Sequence, residues 1–206
     1  MIKAYDSMKR TFDLFLSLIG LIVLFPIFLI VSILIKTDSA GPIFFRQERV
    51  GRNFRSFRIY KFRTMKFIPN DCGPQITVAG DNRITKVGKF LRKYKVDEFP
   101  QLINIIKGEM SFIGPRPEIW TYVNIYRSDY EKLLKVRPGI TDPASMEYSE
   151  EEILLSQGNN WEEIYIENVL PHKIRYSLKY MKNCNMLSDF RLIYKTIGHI
   201  WKRRSA

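Results

Sequence analysis

Two adjacent carboxylates, Asp97 and Glu98, stand in a part of the chain that is otherwise rich in cations. Pro100 follows them at the start of an apolar stretch, and proline is favoured in the first turn of a helix, where its missing N–H costs nothing. Carboxylates near cations and near the positive end of a helix stay ionised. The pair is therefore either a helix cap with a first-turn acid or a pair of reactive anions, and the sequence leaves both interpretations open.

Arginine stands next to proline at two places that could bind phosphate. Arg116 lies between Pro115 and Pro117, and Arg137 precedes Pro138. Proline fixes its own φ and restricts the residue before it, so each arginine is carried on a stiff backbone. A guanidinium that is held in place binds phosphate well through two parallel hydrogen bonds. The alternative for each segment is a rigid surface turn without a ligand.

The elements that must position these residues are visible as patterns. Ile43–Gln47 and Phe54–Phe62 are β-rich and flank Val50–Asn53, which predicts a β-hairpin with a glycine turn. The hairpin mixes cations with aromatic residues, which suits single-stranded nucleic acid or lipid headgroups, and its place directly after an apolar run favours lipid. In Arg83–Lys95, apolar residues recur at helical spacing between cations, which predicts a basic amphipathic helix.

An uncharged apolar run extends from Leu14 to Ile35, with Pro26 near its middle and Lys and Arg on both sides. As one helix it would be roughly 33 Å long at about 1.5 Å per residue, enough for a hydrocarbon core of about 30 Å. Cytoplasmic flanks collect cations, so both ends favour the same side of a membrane. We expect a re-entrant helix that turns back at Pro26, which disturbs a helix interior. An ordinary kinked span is the alternative.

Charge and length bound the rest of the chain. A formal charge of +12 over 206 residues indicates an anionic partner such as nucleic acid, anionic lipid or a phosphorylated substrate. The length predicts an anchor over residues 1–36 and one modest domain over residues 37–206. Cys72 and Cys184 lack the spacing of a zinc site and are interpreted as reduced cytosolic thiols. Near the C-terminus, two helical stretches, Trp161–Leu170 and Lys173–Met181, are expected with a break at Pro171. From Asp189 on, the pattern predicts a basic amphipathic helix that lies either on the membrane or on the core.

Six motifs occur in an order that is far more specific than any one of them. They are Lys9-Arg10-Thr11-Phe12-Asp13, Gly41-Pro42 to Arg49-Val50-Gly51, Lys61-Phe62-Arg63-Thr64-Met65, Asp97-Glu98 with Pro100-Gln101-Leu102, Gly114-Pro115-Arg116-Pro117, and Arg137-Pro138-Gly139-Ile140-Thr141. Through these motifs, nearly the whole chain resembles the monotopic phosphoglycosyl transferases, the bacterial sugar transferase family that starts lipid-linked glycan assembly. That family's anchor is re-entrant and broken at a proline, in agreement with the topology expected at Pro26.

The resemblance implies transfer of a phospho-sugar from a UDP-sugar to polyprenol (undecaprenyl) phosphate, with release of UMP and through a covalent aspartyl intermediate. It implies that Asp97 is the catalytic nucleophile that attacks the β-phosphorus and that Glu98 is its catalytic partner. Asp97 and Glu98 are also expected to be the metal site, which holds Mg²⁺ on the diphosphate. The cations expected to bind substrate are Lys61, Arg63, Arg92, Arg116 and Arg137.

The expected architecture is α+β and mostly helical. A re-entrant membrane helix precedes a small cytosolic catalytic domain with a β-hairpin and amphipathic interface helices. The resemblance implies a monotopic protein on the cytoplasmic face of a bacterial inner membrane. Its partners would be UDP-sugar, polyprenol phosphate and membrane lipid, without nucleic acid.

The sequence leaves several points open. The chain departs from the family's commoner pattern after Thr141, where an atypical segment runs from Asp142 to Glu152, so the donor sugar and the pathway stay open. The oligomeric state is open as well, a homo-oligomer included. A membrane-tethered binding module and a structural partner protein are the competing classes, and the binding module leaves the Asp97–Glu98 pair unexplained.

Overall fold

The computed structural model describes residues 2–68, 81–142, 144, 160–182 and 184–202. Its elements, in chain order, are helix α1 (Ile2–Asp38), strand β1 (Phe44–Val50), a 3₁₀ turn (Arg52–Phe54), strand β2 (Ser56–Phe62), helix α2 (Lys86–Lys93), a 3₁₀ turn (Val96–Glu98), helix α3 (Gln101–Lys107), strand β3 (Ser111–Ile113), helices α4 (Trp120–Ile125) and α5 (Arg127–Leu133), strand β4 (Gly139–Thr141), helix α6 (Trp161–Ile164), a π turn (Tyr165–Val169), and helices α7 (Leu170–Lys182) and α8 (Met186–Lys202). The predicted mostly helical fold with a β-hairpin and an N-terminal apolar helix is confirmed. Cys72 and residues 145–152 of the atypical segment lie outside the described residues.

Helix α1 is long and apolar enough to cross a membrane by length and composition, over Tyr5–Asp38. It continues through Pro26 without interruption, so the re-entrant break expected there stays a prediction. Much of its middle faces outward: Ile22 is 75% exposed and Val23 is 67% exposed. An apolar surface of this kind needs a non-aqueous neighbour.

Both ends of α1 pack on the same group of elements. Near its start, the Arg10 guanidinium donates to the carbonyls of Ile105 and Ile106 at the end of α3. Near its end, Ile35 is buried in an apolar cluster with residues of β2 and α2, and the Asp38 carboxylate accepts a hydrogen bond of 3.1 Å from the Val87 N–H. The two ends of the apolar helix therefore lie against one domain.

Strands β1 and β2 form the predicted antiparallel hairpin, in a register that pairs Phe44 with Phe62 and Val50 with Ser56. The turn between them differs from the expected glycine turn. Gly51 has a φ of −109°, whereas Asn53 and Phe54 have φ values of 53° and 60°. Asparagine tolerates the left-handed conformation because its short polar side chain bonds locally, and the Asn53 N–H donates to the Leu134 carbonyl at 2.7 Å.

Strands β3 and β4 pair in parallel, with Ser111 opposite Gly139 and Ile113 opposite Thr141. The two glycines at this pair allow the backbones to come close together. A Cβ on Gly114 would lie 2.4 Å from the Arg137 carbonyl oxygen, and one on Gly139 would lie 2.1 Å from the Gly114 nitrogen. The two arginine–proline segments are therefore packed against each other and leave the same small sheet.

The C-terminal helices cover the other side of the domain. The run from α6 to α7 passes through a π turn, and Pro171 lies in the first turn of α7. The sequence prediction that Pro171 breaks this helix is therefore wrong, because a proline early in a helical turn removes few hydrogen bonds. Leu170 and Ile174 join a core cluster with residues of α4 and α5.

Candidate active site

The carboxylate pair lies on the 3₁₀ turn Val96–Glu98, between α2 and α3. Lys95 precedes the turn in the left-handed conformation, with a φ of 57°. Pro100 is the residue at the N-cap position of α3, and it makes no side-chain cap hydrogen bond. The interpretation of Asp97 as the cap of α3 is therefore wrong. The pair stands on a separate 3₁₀ turn that precedes α3.

One carboxylate oxygen of Glu98, Oε1, lies close to two cations. The Lys61 Nζ donates to Glu98 Oε1 at 2.8 Å, and an Arg116 guanidinium nitrogen lies 3.6 Å from the same oxygen. Burial alone would raise the pKa of Glu98, but Lys61 and Arg116 outweigh it and hold that pKa well below its ordinary value. The two cations therefore favour the ionised form of Glu98.

Asp97 is as buried as a core residue, with 8% of its surface exposed. Among the residues that the structure describes, its Oδ1 atom has no hydrogen-bond partner. Burial raises the pKa of Asp97 above its ordinary value, and the neighbouring Glu98 charge raises it further, against the opposing effect of Lys61. Buried polar atoms are almost always paired, so this oxygen is available for a ligand or for bond formation.

Lys61 lies in β2, opposite Phe45 on β1, and it is the cation closest to the pair. Burial and the nearby Arg116 charge lower the pKa of Lys61, whereas Glu98 and Asp97 raise it. The hairpin thus supplies one positive charge beneath two negative ones. This balance keeps the turn that carries Asp97 and Glu98 in place while leaving Asp97 short of partners.

Arg116 follows β3, and its side chain is 38% exposed, so one face of the guanidinium is open to solvent. Arg92 lies in the last turn of α2, its Nε donates to the Thr64 hydroxyl at 3.0 Å, and its charge acts on the pKa of Asp97. The structure therefore places Lys61, Arg92 and Arg116 near the carboxylate pair, and their binding of substrate stays a prediction.

Arg63 and Arg137 bind elsewhere. The Arg63 guanidinium donates to the carbonyls of Ser39 at 2.7 Å and Ala40 at 2.6 Å, just after α1 ends. Arg137 donates to the Gly108 carbonyl at 3.0 Å and pairs with Asp6 at 3.3 Å. Cations at helix C-termini satisfy carbonyls that lack partners. Both contacts connect α1 to the domain, and neither involves the carboxylate pair.

Several buried polar residues behind Arg116 were not singled out by sequence reasoning. Glu118 is 6% exposed and Asp142 is 1% exposed, and the Ser177 hydroxyl donates to Asp142 at 2.9 Å. Burial raises the pKa of Asp142, while Ser177, Lys173 and Arg116 act in the opposite direction. The available signal was the position of Glu118 directly after Pro-Arg-Pro and of Asp142 directly after Thr141.

A divalent cation fits this turn. Mg²⁺ is commonly held by one or two carboxylates together with substrate phosphates and water, rather than by a complete protein cage. Asp97 and Glu98 are such a pair, and Asp97 Oδ1 lacks a partner among the described residues. No group of three or more acidic, histidine or cysteine ligands occurs in the described part of the chain, so a metal here would take its remaining ligands from the substrate and water.

The site is thus an anionic pair near three cations, with one oxygen that lacks a partner among the described residues, on a domain that packs along an apolar helix. Such an arrangement suits the binding of phosphate groups. The family model described as "Bacterial sugar transferase" matches residues 4–203, and the chain belongs to this family.

Individual relatives agree with this assignment. The chain is 37% identical over 199 residues to a UDP-N-acetylgalactosamine-undecaprenyl-phosphate N-acetylgalactosaminephosphotransferase of Aeromonas hydrophila, which covers 95% of this chain and 44% of the relative. It is 36% identical to a UDP-glucose:undecaprenyl-phosphate glucose-1-phosphate transferase of Klebsiella pneumoniae, over 96% of this chain and 41% of the relative. The exopolysaccharide production protein ExoY of Sinorhizobium fredii is 33% identical, over 96% of this chain and 87% of the relative. The chain thus spans about four tenths of the first two relatives.

Proposed function

We propose that this chain transfers a phospho-sugar from a UDP-sugar to undecaprenyl phosphate and releases UMP. The observation that carries the proposal is the buried Asp97 carboxylate, whose Oδ1 has no partner among the described residues although cations surround the turn. The names of the relatives supply the substrate classes, a UDP-sugar and undecaprenyl phosphate. A binding module would have no use for an unpaired buried carboxylate, which costs stability.

In the proposed reaction, an Asp97 carboxylate oxygen attacks the β-phosphorus of the UDP-sugar. The bond from that phosphorus to the bridging oxygen breaks, UMP leaves with the electron pair, and an aspartyl phospho-sugar ester remains. A phosphate oxygen of undecaprenyl phosphate then attacks the same phosphorus, breaks the ester and regenerates Asp97. One site can serve two anionic substrates in turn because the intermediate is covalent.

The neighbouring residues supply charge neutralisation, which is most of what phosphoryl transfer requires. Arg116 reaches the pair with a partly exposed guanidinium that can bind a phosphate oxygen, and Lys61 compensates the charge of Glu98. Mg²⁺ bound by Asp97 and Glu98 would neutralise diphosphate charge when the donor is present. Arg92, whose charge acts on Asp97, is placed to hold the leaving phosphate.

The proposal includes a monotopic topology, in which the chain enters the cytoplasmic leaflet and leaves it on the same side. Its support is that residues near both ends of α1 contact one domain, through Arg10 on α3 and through Ile35 and Asp38 on β2 and α2. A helix that crossed a bilayer would carry its ends to opposite faces. The exposed apolar side chains between these contacts would then face the lipid.

The activity is tested by incubating the purified protein with undecaprenyl phosphate, Mg²⁺ and each of a panel of UDP-sugars. We expect UMP release together with an organic-soluble sugar product for at least one donor. Omitting undecaprenyl phosphate should remove the product. UMP-free reactions with every donor would contradict the proposal.

The topology is tested in cells with a variant in which Cys72 and Cys184 are replaced by serine. Single cysteines introduced at Lys3 and Ala40 should both react with a thiol reagent only after the cytoplasmic side is exposed. Labelling of either position from outside would show a true span.

A further inference from the structure

Arg49 is part of the motif Arg49-Val50-Gly51, and the proposed reaction gives it no role. It lies near the end of β1, and its side chain is 20% exposed. A charged group in this position must be held by specific partners. Those partners lie in the segment that follows Arg116.

The Arg49 guanidinium contacts the chain directly after Arg116 through one nitrogen and its own strand through the other. One nitrogen donates to the Pro117 carbonyl at 3.2 Å and lies 3.4 Å from Glu118 Oε2. The other nitrogen donates to Gln47 Oε1 at 2.6 Å. The forked guanidinium therefore connects β1 with the two residues after Arg116, which an ammonium group could not do in the same geometry.

Glu118 is held just as firmly. Its second carboxylate oxygen accepts a hydrogen bond of 2.9 Å from the Tyr165 hydroxyl, and its backbone carbonyl accepts one of 2.9 Å from the Val50 N–H. With 6% of its surface exposed, Glu118 has little access to solvent. It is thus a fixed point between the hairpin and the π turn that carries Tyr165.

The backbone before Arg116 is held as well. Pro115 precedes Arg116, and the Pro115 carbonyl accepts a hydrogen bond of 3.0 Å from the Gly139 N–H. The backbone of Arg116 is therefore fixed before and after the residue. Its side chain extends from this support towards Glu98. Burial lowers the pKa of Arg49 despite the Glu118 charge, and the charge of Arg116 contributes in the same direction.

We propose that Arg49 and Glu118 are positioning residues that fix the Arg116 guanidinium over the Asp97–Glu98 pair. The proposal rests on the proposed transferase function. A planar guanidinium contributes to phosphate binding only if its angle and distance are maintained. Loss of the Arg49 fork would let the Pro117–Glu118 backbone relax and would displace Arg116 without removing it.

A double-mutant cycle tests this dependence, because residues that act as a unit are not additive. We expect Arg49→Lys to lower kcat/KM about tenfold in the parent protein and less than about twofold in an Arg116→Ala background. Tyr165→Phe removes the hydrogen bond from the Tyr165 hydroxyl to Glu118, keeps the aromatic ring, and should give a smaller loss with the same dependence on Arg116. Equal losses in both backgrounds, or no loss in the parent, would overturn the proposal. Thermal unfolding of each variant identifies losses of activity that are caused by poor folding. If Arg49→Lys folds poorly, the activity of Tyr165→Phe in the two backgrounds tests the positioning role instead.

A second measurement does not depend on turnover. The rate at which phenylglyoxal modifies Arg116 is followed by peptide mass spectrometry in the parent, Arg49→Lys and Tyr165→Phe proteins. Displacement of Arg116 from Glu98 should raise this rate several-fold in Arg49→Lys, while Arg127, on the surface of α5, serves as the internal control. An unchanged rate would contradict the positioning role. If the parent protein had no activity, the proposed function would be contradicted, whereas the modification rates would still test whether Arg49 positions Arg116.

Discussion

Two aspartates are buried to nearly the same degree and have opposite surroundings. Asp189 on α8 is 5% exposed and Asp97 is 8% exposed. The Asp189 carboxylate accepts hydrogen bonds from the Tyr5 hydroxyl at 2.7 Å, from the Tyr180 hydroxyl and from Lys9 Nζ. Asp97 has one oxygen without any partner in the described part of the chain. The two aspartates therefore differ in hydrogen-bond satisfaction rather than in burial, and the proposed function makes Asp97 the reactive one.

The two arrangements have different energetic consequences. The Asp189 cluster, formed by Tyr5, Lys9, Tyr180 and Asp189, joins α8 and α7 to the start of α1, and each donor compensates the cost of burying the charge. The Asp97 turn keeps a cost that is not compensated, which is the usual trade between stability and activity at functional sites. The same substitution at the two positions should therefore have opposite effects.

The largest expected effect is the loss of turnover in Asp97→Asn, by at least about a thousandfold, because the amide cannot act as the nucleophile. Its thermal stability without metal should be unchanged or higher, since a buried charge has been removed. Parallel measurements of UMP release and thermal unfolding test both parts. Turnover near the parent level would remove Asp97 from the reaction.

Asp189→Asn is the matched control, and its main effect should be on stability. Removing one partner from a buried ion pair typically costs about 3 kcal/mol or more, which corresponds to a fall in melting temperature of about 6 °C or more for a chain of this size. Below the unfolding temperature, turnover per folded molecule should stay within about twofold of the parent, because Asp189 does not contact the carboxylate pair. A stable but inactive Asp189→Asn protein would contradict the distinction.

The arginines offer the same comparison at smaller magnitude. Arg116→Lys keeps the charge but loses the planar fork, and turnover should fall about tenfold, equivalent to about 1.4 kcal/mol. Arg137→Lys, which alters the contact with the Gly108 carbonyl, should lower the melting temperature and leave turnover nearly unchanged. Steady-state kinetics with thermal unfolding of both variants makes the comparison. Reversed results would exchange the roles assigned to Arg116 and Arg137.

The smallest expected effect is on the pH dependence. The raised pKa of Asp97 places the acid limb of kcat/KM above the ordinary aspartate range, because the nucleophile must be ionised. Lys61→Met should move that limb to higher pH, since Lys61 lowers the pKa of Asp97. A raised folded-state pKa favours folding at low pH, and this stabilisation is lost as pH rises through it. Asp97→Asn should therefore gain stability relative to the parent as pH increases. An acid limb of kcat/KM in the ordinary aspartate range would contradict the assignment of Asp97 as the nucleophile.

Local patterns of the sequence predicted the local elements well. The hairpin, the basic helix α2 and the apolar helix α1 all follow from short-range periodicity and turn residues. Pro171 was misinterpreted because a π turn absorbs the change in the hydrogen-bond pattern just before it. That adjustment depends on the packing of Val169 and Leu170 in the core, which short-range patterns do not encode.

The site was harder to predict in its details. The residue types indicated phosphate chemistry, but whether a guanidinium faces a carboxylate or a backbone carbonyl is decided by tertiary contacts. Arg116 and Arg137 both stand next to proline in the sequence, yet Arg137 binds the Gly108 carbonyl and Arg116 approaches Glu98. The same limit applies to Arg49 and Glu118, which are 69 residues apart in the chain.

The central claim is that Asp97 forms a covalent bond to the phospho-sugar, and intact-mass spectrometry tests it directly. The parent protein is incubated with its preferred UDP-sugar and Mg²⁺ in the absence of undecaprenyl phosphate, and peptide mapping then locates any adduct. We expect a mass increase of one phospho-sugar on the peptide that contains Asp97, and this adduct should disappear when undecaprenyl phosphate is added. Asp97→Asn should show no mass increase, whereas Asp189→Asn should still form the adduct. Turnover by a parent protein that never carries an adduct, or an adduct at another residue, would contradict the account.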